Sequence, residues 1–171
     1  MKKLLITTAC CALCFFMSCK PGMDETSQAA KNKANSQEIY KAMETGDVSK
    51  LDAIIDKDFV DHSGEKGDVK GIDSLKKMFV QMHNEITGLK VEEIANATDG
   101  DYNIALVRMT GTTAKPMMNM PAGTKIDMKS VEVVKVKDGK AIEHWGYMDP
   151  KDMMQMMGAG MDHKMEEKMD K

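Results

Sequence analysis

No cysteine follows position 19; the four in the chain are Cys10, Cys11, Cys14 and Cys19. A disulfide, a CxxC redox pair or a cysteine-ligated zinc is therefore excluded from whatever folds beyond that point. Basic charge is also scarce. With Lys2 and Lys3 set aside, 22 basic side chains face 27 acidic ones, a balance that argues against a nucleic-acid or anionic-membrane surface. The apolar run Leu4–Met17 is too short to span a bilayer comfortably, and there is no internal repeat. What remains is 171 residues, enough for one domain with a real core.

The N-terminus carries its own signal. Met1-Lys2-Lys3 is positive, the apolar run follows, and Phe16-Met17-Ser18-Cys19 puts a small residue directly before a cysteine. This resembles a bacterial lipoprotein signal. The resemblance implies removal of 1–18 and a lipid on Cys19, placing the protein on a membrane of the bacterial cell envelope. An acyl anchor gains about 0.8 kcal/mol per buried CH2 and would be the only membrane contact. The alternative is an ordinary signal peptide with incidental cysteines. Residues 19–35 are polar and read as a tether.

Helical spacing begins near Ser36, where Ile39, Tyr40 and Met43 form a stripe ending at Gly46. Asp47 then caps a second short helix with Val48, Leu51, Ile54 and Ile55. Phe59–His62 is a short strand, Ser63–Gly71 a Gly- and charge-rich loop, and Ile72–Ile86 a third helix. From Leu89 the period falls to two. Leu89–Thr98, Tyr102–Thr113, Lys125–Lys137 and Lys140–Met148 read as successive strands, with Asp138-Gly139 a strong hairpin signal. Asp149-Pro150 then stops the last strand and opens a short C-terminal helix. Helices first and strands second predict an α+β fold, about three helices packed on a curved antiparallel sheet of four to five strands.

Four segments carry a resemblance: Ala42–Asp47 (AMETGD), Phe59–His62 (FVDH), Arg108–Thr112 (RMTGT), and Asp138–Lys140 through Glu143-His144-Trp145, Asp149 and Gln155–Gly158. Together they resemble the SnoaL-like polyketide cyclase family of the nuclear-transport-factor-2-like superfamily, over residues 36–158. The resemblance implies a cone-shaped fold enclosing one pocket for a small, mainly apolar ligand, and a homodimer formed through the sheet. It also implies an acid/base aspartate at the position of Asp149, working without a cofactor in a cyclase or isomerase reaction. Members of such folds bind as often as they catalyse. The pocket histidine that the cyclases carry on the preceding strand has no counterpart in Lys125–Lys137.

The residues themselves leave alternatives open. Asp149 is either a general base or the N-cap of the last helix. Strand alternation puts Glu143, Trp145, Tyr147 and Asp149 on one face and Ile142, His144, Gly146 and Met148 on the other. Trp145 and Tyr147 beside Asp149 would make a flat wall for a ring-shaped ligand, or pack against a partner. His62 is a further ligand contact. A three-histidine metal site from His62, His83 and His144 has no supporting spacing. Arg108 would bind a carboxylate in the pocket or pair with a cross-strand acid such as Glu132.

Nineteen methionines are present. Met117, Met118 and Met120 crowd one loop, and Met153, Met157, Met161, Met165 and Met169 recur every four residues. The plain reading is a flexible apolar lining. The sharper one is a Cu(I) site at Met161, His163 and Met165 in the charged tail, 159–171, since thioethers and imidazole suit a soft ion. A role in scavenging oxidants through sulfoxide formation is the remaining reading.

Overall fold

A computed structural model describes residues 25–154, except 65 and 118. The elements run α1 (Glu25–Thr45), α2 (Leu51–Ile54), β1 (Ile55–Asp61), β2 (Val69–Lys70), α3 (Ile72–Glu85), β3 (Ile86–Asp99), β4 (Tyr102–Thr113), β5 (Lys125–Lys137) and β6 (Lys140–Met148). Residues 150–154 are helical again. The fold is α+β, and β4, β5 and β6 have the limits the alternation predicts. Asp138 and Gly139 both adopt positive φ, 51° and 78°, the backbone of the tight turn that Asp-Gly favours.

Three features differ from expectation. The sheet has six strands in the order β2-β1-β6-β5-β4-β3, and it is mixed, because β1 runs parallel to β6. These two strands are not neighbours in sequence. The long excursion between them allows the last strand to enter beside the first in the parallel sense. Second, α1 starts at Glu25, inside the stretch read as tether. Its inward stripe is polar over the first turns: Asn32 and Ser36 are buried, ahead of Tyr40 on the same face. Gln28 Nε2 donates to Asn32 Oδ1 (2.7 Å), and Asn103 Nδ2 donates to Ser36 Oγ (3.2 Å). An apolar-periodicity reading cannot see a face built from amides and hydroxyls. Third, Asp47 caps a turn, accepting the Ser49 N–H at 3.1 Å, while α2 begins only at Leu51 and Ile55 already belongs to β1.

Three buried clusters lie between the helices and one face of the sheet. The first is aliphatic and aromatic: Leu51, Ile55, Phe59, Ile72, Leu75 and Phe79, with Ala42 and Ala141. In the second, Ile86, Leu89, Met120, Ile126 and Met128 are joined by Met43, Met82, Met109, Met117 and Met148. The third sets Tyr40 of α1 on Ala105 and Val107 of β4. Met43, near the end of α1, touches all three. The face of β4 bearing Asn103, Ala105 and Val107 is thus the inner, enclosed one. Among the described residues no helix is long and apolar enough to cross a membrane.

Candidate functional site

The inner face can be followed across the sheet by register. Ala105 pairs with Glu132, Glu132 with Gly146 and Val134 with His144, and His144 with Asp61. Glu132, His144 and Asp61 therefore point to the same side as Ala105, toward the helices. They meet there. His144 Nδ1 lies 2.9 Å from Asp61 Oδ1, and His144 Nε2 lies 2.6 Å from Glu132 Oε2. Ser130 donates to the other oxygen of Glu132. The Ser63 N–H donates to Asp61 Oδ1 at 2.8 Å.

The geometry dictates the charge. A neutral imidazole has one N–H and can donate to only one carboxylate, whereas the imidazolium donates to both. Burial alone would push the His144 ring down, but the hydrogen bonds and charges of Asp61 and Glu132 outweigh it and raise its pKa to about 9. Asp61 moves the other way. Its burial favours the neutral acid, yet the His144 bond and charge, with the Ser63 N–H, hold it below the usual carboxylate range. The set is an ionised carboxylate–imidazolium–carboxylate chain carrying one net negative charge.

Gly146 makes room for it. A Cβ at that position would stand 3.1 Å from Ser63 Oγ and 3.2 Å from Glu132 Oε2, so both would have to give by a few tenths of an ångström, while the 3.5 Å approach to His144 Cε1 is an ordinary contact. Across the interior, Tyr40 faces the same charge. Burial, then the negative charges of Glu93 and Glu132, raise its pKa well above the usual phenol value, so its hydroxyl keeps its proton.

The residues singled out from sequence lie elsewhere. Trp145 and Tyr147 are on the outer face of the sheet, Tyr147 being 60% exposed. Trp145 stacks on the His62 ring, with centroids 4.8 Å apart, and lies near Tyr102. His62 bridges Asp68 (3.1 Å) and Glu143 (3.2 Å), and the bond to Asp68 chiefly raises its pKa. Arg108 does pair with an acid, but with Asp127, through two bonds of 2.7 Å on the outer face. Asp149 is exposed and accepts the Lys151 N–H at 2.8 Å, the geometry of an N-cap. His83 donates to the Glu44 carbonyl (2.8 Å) at the end of α1, so the three histidines do not converge. Among the described residues no group of three or more His, Cys, Asp or Glu is placed to hold a metal ion. Cys19, Met161, His163 and Met165 lie outside the described residues. A shallow surface depression of about 520 Å³ beside Lys76, Val80 and Lys115 of α3 and the β4–β5 loop includes none of the network.

Asp61, Glu132 and His144 were each visible in the sequence but were not brought together. The available signal was Glu132, a lone carboxylate in the apolar run Val131–Val134, at the same parity as the inward residues of β5.

A helix-covered, mixed six-stranded sheet of this kind is the architecture of a cone-shaped α+β domain. The profile of the SnoaL-like polyketide cyclases matches residues 34–157, and the chain belongs to that family. Similar solved structures include TsrD from Streptomyces laurentii, 19% identical, with a TM-score of 0.68 over 76% of this chain and 96% of that one. A SnoaL-like polyketide cyclase from Agrobacterium tumefaciens is 14% identical, with a TM-score of 0.63 over 73% and 96%. An LEH-like epoxide hydrolase of M. tuberculosis is 16% identical, with a TM-score of 0.62 over 78% and 94%. At these identities the likeness is one of fold. A comparison with curated proteins gave no match.

Proposed function

We propose that this SnoaL-like domain binds a small, mainly apolar carbonyl compound against the inner face of its sheet and moves a proton on it, and that a lipid on Cys19 holds it in the bacterial cell envelope. The observation that carries the reading is the Asp61–His144–Glu132 chain. Taking several ionised groups out of water costs several kcal/mol per ion unless the geometry repays it, and a face that only packed would be apolar. Here the charge is retained, shaped by Gly146 and set opposite a protonated phenol. In the reaction proposed, Glu132 accepts the proton from the carbon next to the carbonyl. The electron pair moves onto the carbonyl oxygen, and the Tyr40 hydroxyl donates a hydrogen bond to it. His144 orients Glu132 through its 2.6 Å bond, and Asp61 fixes the ring of His144 from the other side. Donation of that proton back to another carbon completes an isomerisation or ring closure, with no cofactor required.

The test is deuterium exchange at the α-carbon of a panel of small cyclic ketones and β-keto esters, followed by mass spectrometry. Glu132→Gln keeps the shape and removes the base, so exchange should fall by about 100-fold or more. Equal exchange in both proteins, or none in the wild type with any member of the panel, would remove the catalytic half of the reading.

The outer face of the sheet supports a homodimer. Tyr102, Ile104, Val131 and Tyr147 are 40, 39, 36 and 60% exposed there, a patch that a monomer in water seldom leaves uncovered. Tyr147→Lys should shift the protein from dimer to monomer in analytical ultracentrifugation. A wild-type monomer at tens of micromolar would count against the dimer.

A further inference from the structure

We infer that the methionine-rich end of the interior is a binding site for a soft monovalent cation such as Cu(I), a function separate from the proton chemistry proposed above. Seven methionines converge on the second cluster: buried Met120 and Met128, with Met43, Met82, Met109, Met117 and Met148 packed on them. They arrive from α1, α3, β4, the β4–β5 loop, β5 and β6. On the sheet, Met109 and Met128 are direct cross-strand partners, and Met148 pairs with Ser130, one inward position further along β5. Directly paired side chains on one face stand about 5 Å apart at Cβ, within reach of flexible thioethers.

Composition alone does not explain the gathering. The same chain builds its first cluster from Leu, Ile and Phe, with Met43 and Met78 only at the edge. Leu has nearly the same volume as Met and loses less rotamer freedom on burial, so packing does not call for sulfur. Thioethers are the donors this cluster offers, and they suit soft, singly charged metals. Met117 and Met120 exchange backbone hydrogen bonds of 3.0 and 2.9 Å, which fixes the loop whose two side chains pack into the cluster.

The experiment is a titration of the whole chain with Ag(I) in chloride-free buffer, Ag(I) standing in for Cu(I) without redox chemistry. One equivalent should bind, and the methyl resonances of Met109, Met128 and Met148 should shift with it. The combined variant Met109→Leu, Met128→Leu and Met148→Leu keeps the apolar volume and should weaken that equivalent at least tenfold. Replacing Met161, His163 and Met165 should leave it unchanged. The inference fails if no Ag(I) binds, if the three methyl signals stay still in the wild type, or if only the tail replacement abolishes binding. The methyl shifts decide the matter even if the triple variant does not fold. The deuterium exchange catalysed through Glu132 is read independently, so either proposal can fall without the other.

Discussion

His144→Ala should lower the stability of the domain by about 3–5 kcal/mol, the cost of breaking a buried ion pair from one side. For a domain of this size that corresponds to a fall in melting temperature on the order of 10 °C. The substitution removes the only cation between Asp61 and Glu132, whose side chains are 7% and 23% exposed. Two carboxylates then share one side of the interior with nothing between them. Adding Glu132→Gln should recover part of the loss, because the repulsion goes with the charge. If His144→Ala melted within a degree or two of the wild type, the network would not be ionised as described. The wild type carries the same interaction in its pH dependence. The ring titrates at about 9 in the folded state, against 6.5 for an unperturbed histidine. The folded state thus holds the proton more tightly. Its stabilising contribution, about 3 kcal/mol, is complete below pH 6.5 and is lost as pH rises through 9. Asp61, held low, adds a contribution present above its unfolded value and lost as the pH falls through the folded one. Urea denaturation between pH 6 and 10 should show the alkaline loss in the wild type and not in His144→Ala.

Leu51→Ala should cost about 2–5 kcal/mol, in the range of the largest single-residue core deletions. Leu51 is 0% exposed and sits where α1, α2, α3 and the first strand meet, against Phe59, Leu75 and Phe79. Aromatic rings and a helix end are slow to fill such a gap, so the upper half of the range is expected. Chemical denaturation gives the number directly. A cost below 1 kcal/mol would mean that α2 moves inward to close the cavity.

The limits of β4, β5 and β6, and α3 to within one residue, are legible in the sequence because their apolar residues recur with the period of each element, whereas β2 and the start of β1 are not. The α3 limits, for example, follow from Leu75, Phe79 and Met82 on one side and lysines on the other. The start of α1 was not legible, since Asn32 and Ser36 occupy its inward stripe. Nor was the parallel pairing of β1 with β6, which depends on residues more than eighty positions apart. The alternation in β6 was read correctly as two faces, but nothing local says which face the helices cover. The aromatic residues Trp145 and Tyr147 do not decide it, because flat rings mark ligand walls and subunit contacts equally well. Once register is known, His144 turns inward beside Asp61 and Glu132, and the polar interior follows.

The place of β6 also governs how the chain can be made. Among the described strands it comes last in chain order, yet it lies between β1 and β5 in the sheet. Without β6, β1 with its short partner β2 and the β3–β5 meander share no strand pairing, and each has an open edge. Truncation before Lys140 would therefore split the sheet down its middle rather than trim it. The hydrogen bonds from His144 to Asp61 and Glu132 are among those that join the halves, so this network is complete only when β6 has entered the sheet. A chain interrupted before β6 would leave two unpaired strand edges open to association and proteolysis.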